Sequence, residues 1–143
     1  GKPDRIDVLP DGRMHLFDYK TGSPPSERQQ EAYEKQLRLT AAMVERGGFA
    51  DLGPREVAGF SYVGLGSTPK TVETLRDEIN LDEEWARFIA LITRYRLAST
   101  GYTARRAVFS DRIEGDYDHL ARYGEWQMTD RAEPVFVGKE VDE

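Results

Sequence analysis

The sequence predicts an α/β layered domain, and three observations predict it. A hairpin pattern over residues 4–20 carries large side chains on both faces, which points to cover on both. A long amphipathic helix with its own start and stop signals follows. A further strand and a second amphipathic helix then repeat the alternation. The chain has 143 residues, of which 38% are hydrophobic and 32% charged, enough apolar mass for one core.

The hairpin strands are predicted over 4–9 and 13–20. Between them, Pro10 presets φ for a type I turn and Gly12 supplies the left-handed residue of a three-residue loop. Such a loop pairs Leu9 with Arg13. Ile6 then faces Leu16, and Asp4 faces Asp18. Alternation gathers Asp4, Ile6, Val8, Met14, Leu16, Asp18 and Lys20 on one face, apolar near the turn and charged at the open end. Phe17 and Tyr19 take the other face.

Residues 21–25 read as a loop. Ser26 and Gln29 fit a capping box, and the helix they start is predicted to run to about Arg46, where Gly47 and Gly48 stop it. Its buried stripe is Tyr33, Leu37, Thr40, Ala41 and Val44, with Gln36 beside it. A third strand is predicted over 56–65, and a short helix or irregular strand at 71–79 is left open. Asp82 is expected to cap a helix to about Ser99 with Trp85, Phe88, Ile89, Ile92 and Tyr95 on one face. Residues 116–122 fit a short helix, and the chain beyond about 138 is expected to fray. The expected organisation is a single domain over 1–143, with a core at 1–103 and an irregular acidic extension at 104–143.

The formal net charge is −6. All of it resides in residues 111–143, which hold ten acidic and four basic groups. A stand-alone nucleic-acid binder carries a basic excess, so a nucleic-acid role here must rest on a local patch or a partner. No apolar run is long enough to span a membrane. The lack of Cys excludes disulfides, thiolate metal sites and a cysteine nucleophile, and suits a reducing cytoplasm.

Asp4, Asp18 and Lys20 carry the chemistry. Two carboxylates facing each other across a strand pair repel, and a divalent cation removes the conflict. Hard cations such as Mg²⁺ take one or two carboxylates plus waters and phosphate oxygens. The Tyr19 backbone carbonyl is a further oxygen candidate. Lys20 would orient or deprotonate the attacking water, or neutralise phosphate charge. The plainer alternative is an Asp18–Lys20 salt bridge with no catalytic role.

Gly1-Lys2-Pro3-Asp4-Arg5-Ile6-Asp7, a turn, and Asp18-Tyr19-Lys20-Thr21-Gly22 together resemble the PD-(D/E)XK nuclease superfamily, and more narrowly its RecB-type nuclease module. Gln36, on the next helix, matches that module's glutamine, and Thr40 stands where relatives often carry Tyr. Residues 116–122 (Asp-Tyr-Asp-His-Leu-Ala-Arg), with Glu125 and Trp126, resemble the C-terminal nuclease domain of AddB-type double-strand break repair proteins. The resemblance implies a restriction-endonuclease-like three-layer core, a mixed central sheet flanked by helices. It implies an exonuclease domain of a bacterial, cytoplasmic helicase–nuclease complex, acting on DNA beside an AddA-like helicase subunit.

In that family Asp4 and Asp18 would hold Mg²⁺, with Mn²⁺ as a substitute, Lys20 would be catalytic, and Gln36 would help place metal, water or the DNA backbone. The alternatives are a non-catalytic nuclease-like scaffold that holds DNA and a CRISPR-associated RecB-like exonuclease. Two departures stand out. The family's acidic or histidine residue on a helix before the first strand has no counterpart, so the chain reads as a fragment whose N-terminal helix is missing. Such a fragment is expected to expose core surface, pair with a second copy or lose activity. Some relatives hold an iron–sulfur cluster through four cysteines, and this chain supplies none of those ligands.

The remaining polar residues have structural readings. Asp7 falls on the face opposite Asp18 and suits an ion pair with Arg5. His15 and His119 lack partners at ligand spacing. Arg94, Arg96, Arg105 and Arg106 with Tyr95 and Tyr102 form either a DNA-contacting surface or a solvated helix face over core aromatics. Gly64-Leu65-Gly66 reads as a strand end, and Trp85 and Trp126 as packing residues.

Overall fold

The structure, a computed structural model, describes residues 2–103, 119–120, 122, 124–126, 129–131 and 133–136. The chain divides into two compact units, 1–89 and 90–143.

In the first unit a four-stranded sheet has the order β1 (Arg5–Val8), β2 (Met14–Lys20), β3 (Val57–Gly64), β4 (Lys70–Leu75). The outer pairs are antiparallel and β2–β3 is parallel, so the sheet is mixed. Together with the helices that flank it, this is the α/β architecture expected of a restriction-endonuclease-like fold.

The hairpin register follows from its turn. Gly12 adopts φ +86°, its N–H donates to the Leu9 carbonyl, and the Leu9 N–H donates to the Arg13 carbonyl, both at 2.8 Å. Arg5 then pairs with Phe17 and Ile6 with Leu16, as the loop predicts. The ladder ends there, with Asp4 one residue outside β1.

The parallel step from β2 to β3 needs a crossover, and helices α1 (Glu27–Ala32) and α2 (Gln36–Glu45) provide it. The capping box at Ser26 and Gln29 forms. At the far end Gly47 takes φ +71°, its N–H reaches the Val44 carbonyl and the Gly48 N–H reaches that of Met43, a Schellman stop. Between these ends the predicted single helix is broken at residues 33–35. The cause is long-range: the Tyr62 hydroxyl, on β3, accepts from the Leu37 N–H at 3.3 Å and donates to the Glu34 carbonyl at 3.4 Å. In an unbroken helix those two groups would bond to the Tyr33 carbonyl and the Arg38 N–H. A side chain inserted into the i→i−4 ladder is a known source of kinks. Tyr33 consequently falls in the break and is exposed rather than part of the buried stripe.

The core lies on the even-numbered face of β2. Met14, Leu16, Phe60 and Tyr62 of the sheet pack with Leu37, Ala41, Ala42 and Val44 of α2 and with Ile79 and Leu81. Helix α3 (Leu81–Tyr95) is capped by Asn80, whose Oδ1 accepts from the Glu83 N–H at 3.1 Å, and not by Asp82, which pairs with Arg46. Its predicted apolar face is only partly used: Leu81 is buried and Trp85 packs on the core, whereas Ile89 and Ile92 are each 45% exposed. Glu84, also buried, joins α3 to α2 through Lys35 at 2.9 Å and Arg38 at 3.2 Å. The open segment at 71–79 resolves into β4 and a 3₁₀ turn, Arg76–Glu78.

The odd-numbered face is only partly covered, against the expectation of full cover. His15 and Ser61 are buried and hydrogen-bonded at 2.9 Å, but Tyr19 is 39% exposed. In the second unit the Tyr95 and Tyr102 rings lie 5.1 Å apart, and Tyr102 forms an antiparallel bridge with Val135. The helix read at 116–122 falls largely outside the described residues, as do Arg105, Arg106 and the chain beyond 138.

Candidate active site

Asp18 and Lys20 project from the C-terminal end of β2 onto the core face, beyond Leu16. That end of a strand pairing in parallel is where α/β sheets bind ligands. Asp18 is 3% exposed. Its Oδ2 lies 2.9 Å from Lys20 Nζ. That separation is an ion pair, and the buried Oδ2 makes no hydrogen bond besides it. The close charge lowers the cost of burying the carboxylate.

Asp4 stands one residue before β1 and reaches across to β2. Its Oδ2 accepts from the Tyr19 N–H at 2.9 Å. The N–H and C=O of one strand residue share an edge, so the Tyr19 carbonyl also opens toward the Asp4 side. Gln36 is the first residue of α2 and is exposed. Among the described residues no hydrogen bond joins its side chain to Asp4, Asp18 or Lys20. The structure thus brings Asp18 and Lys20 into contact and puts Asp4 against the backbone between them.

Two residues that sequence reasoning passed over belong to this cluster. Glu34 Oε1 lies 3.8 Å from Lys20 Nζ. Tyr62, the β3 residue in register with Asp18, places its ring centroid 5.6 Å from the same ammonium. Tyr62 was recoverable from strand alternation alone, Glu34 only from the helix break. Burial pulls the Lys20 ammonium down, but its contact with Asp18 and the charges of Asp18, Glu34 and Asp4 outweigh that and hold it above its ordinary value. Burial likewise pushes the Tyr62 phenol well above its usual range. Both therefore stay protonated at neutral pH.

The donor set fits a hard divalent cation. Asp18 Oδ2 is a buried carboxylate oxygen ion-paired with Lys20, Asp4 contributes a second carboxylate, and Mg²⁺ commonly takes one or two carboxylates and keeps its remaining waters. Among the described residues no group of three or more His, Cys, Asp or Glu side chains clusters at metal spacing.

The other polar residues sort away from it. Asp7 is bound by Arg5 through two hydrogen bonds of 2.6 Å, which hold its carboxyl below the usual range. His15 lies on the opposite face. Glu73, 3.8 Å away, favours the imidazolium, but Glu73 is largely exposed, and burial prevails to lower the His15 pKa.

No helix among the described residues is long and apolar enough to cross a membrane. Comparison with curated proteins and with solved structures found no match. A family model, that of the PD-(D/E)XK nuclease superfamily, matches residues 1–125.

Proposed function

The chain belongs to the PD-(D/E)XK nuclease superfamily, and from that premise we propose that it is a divalent-metal-dependent deoxyribonuclease domain that hydrolyses phosphodiesters. The observation that carries this reading is Asp18 Oδ2, buried and without a hydrogen bond at the end of β2, beside Lys20, with Asp4 bound to the backbone of Tyr19 between them. Asp4 and Asp18 would hold the cation, with the Tyr19 carbonyl as a third oxygen. Mg²⁺ bound there, or Mn²⁺ in its place, supplies positive charge to phosphate oxygens and makes water more acidic.

The chain's own residues do the rest. The Lys20 ammonium binds a phosphate oxygen and offsets the charge that builds there as the leaving oxygen departs. Gln36, exposed at the start of α2, contacts the DNA backbone or a water. The finer reading is an exonuclease domain of an AddB-like protein, working beside an AddA-like helicase subunit in double-strand break repair. Residues 116–122, Glu125 and Trp126 support it, as does the net charge of −6, which leaves much of the attraction to DNA to a partner.

Calorimetric titration with Mn²⁺ tests the reading. One site is expected, weakened about tenfold or more by Asp4→Asn and by Asp18→Asn. A labelled single-stranded oligonucleotide should be cut, and Lys20→Ala should abolish cutting while Mn²⁺ still binds. Binding unchanged by both aspartate substitutions would overturn the site.

A further inference from the structure

Lys20 faces three carboxylates. Asp18 Oδ2 lies 2.9 Å from its Nζ and Glu34 Oε1 lies 3.8 Å away, and the charge of Asp4, one residue before β1, also acts on it. Three carboxylates and one ammonium leave two negative charges, the complement of a divalent cation. Asp18, however, has two claims on it: it is the closest anion to Lys20, and its buried Oδ2, which makes no hydrogen bond, is the oxygen a cation would draw on. A cation drawing on Oδ2 competes with Lys20 for the same atom.

Glu34 is held where it can resolve that competition. It lies in the break between α1 and α2, where the sequence offers neither Gly nor Pro to stop a helix. Its N–H donates to the Gln29 carbonyl at 2.8 Å and its carbonyl accepts from the Tyr62 hydroxyl at 3.4 Å. The same tyrosine lines the ammonium with its ring. The fold thus gives up regular helical bonds and places a carboxylate beside Lys20.

We propose that Glu34 is a positioning residue that holds the Lys20 ammonium as an alternative anion, so that Asp18 Oδ2 can turn to the divalent cation without leaving Lys20 unpaired. The inference rests on the metal-dependent reading above. Glu34 need not touch the cation. Its effect on metal binding passes through Lys20.

A double-mutant cycle on the full chain tests this, read by Mn²⁺ calorimetry. Glu34 is a partly exposed side chain, so its amide variant is not a folding risk. Glu34→Gln should weaken Mn²⁺ binding about tenfold, the lower end for a residue outside the direct ligand set. Lys20→Ala, which removes the competitor, should bind Mn²⁺ at least as tightly as the unmodified chain. In the Lys20→Ala background, Glu34→Gln should change the affinity by less than about twofold, because the competition it relieves is gone. An unmodified affinity within about twofold in Glu34→Gln would overturn the proposal. So would an effect of undiminished size in the Lys20→Ala background, which would make Glu34 act on the cation directly. If the chain shows no Asp18-dependent site at all, the metal-dependent reading fails first and takes this inference with it.

Discussion

Replacing Tyr62 by Phe removes one oxygen and strips two backbone groups of their partner. The hydroxyl accepts from the Leu37 N–H at 3.3 Å and donates to the Glu34 carbonyl at 3.4 Å. Both bonds are long, so each falls in the lower part of the usual net range, about 0.5–1 kcal/mol. Leu37 is 1% exposed, so water does not readily replace the lost acceptor. The two together amount to about 1–2 kcal/mol. With an m-value of about 1.5 kcal/mol per M, the urea midpoint should fall by about 1 M. The ring remains, so its core packing and its seat beside Lys20 persist. The assay is urea unfolding followed by Trp85 fluorescence in a Trp126→Phe background. Trp85 packs on the core of the first unit, whereas Trp126 belongs to the second. A midpoint shift below about 0.3 M, or roughly 0.5 kcal/mol, would refute the claim that this hydroxyl holds the helix break.

Other outcomes follow from the same structure. Leu16→Ala, at a fully buried position, should cost about 2–5 kcal/mol in urea unfolding, and a loss under about 1 kcal/mol would contradict the placement of the core. Gly64→Ala would put a Cβ 2.6 Å from Pro24 Cδ and 2.8 Å from the Gly22 carbonyl oxygen, displacing the loop that follows Lys20. Thermal unfolding should register a loss of roughly 1–3 kcal/mol, and an unchanged midpoint would show that the loop is not packed there. His15 is lowered by burial, against Glu73 and Asp7, so the unfolded chain takes up the proton first. Its contribution is full above the unfolded value of about 6.5 and is lost as pH falls through the lower folded value. Urea midpoints should drop as pH falls below about 6.5, and His15→Gln should flatten that slope. A slope that the substitution leaves intact would assign it to other groups.

The parts of the site that were legible in the sequence are those set by local chemistry. Pro10, Asp11 and Gly12 specify a turn, and the turn specifies the register of β1 against β2. Ser26, Gln29, Gly47 and Gly48 mark helix ends by contacts within a few residues. The break at 33–35 was illegible for the converse reason. Tyr33, Glu34 and Lys35 carry no breaker, and the group that interrupts the helix sits on β3. Glu34 escaped notice with it. The cap of α3 was misplaced by two residues because Asn80 and Asp82 are both good cap residues, and the pairing of Asp82 with Arg46 decides between them. Ile89 and Ile92 have the spacing of a buried face, but helical spacing shows only that residues share a side, not that anything packs against it.

The hairpin and the crossover also differ in when they form. A three-residue loop lets β1 and β2 meet on a timescale of microseconds. The parallel pairing with β3, which delivers Tyr62 and positions Glu34, requires the whole crossover to close and is a later, non-local event. The two aspartates are therefore brought to one end of the hairpin early in folding, when Lys20 alone offsets their repulsion. The nascent hairpin is electrostatically frustrated, and completion of the domain adds a third carboxylate, Glu34, to the same site rather than relieving it.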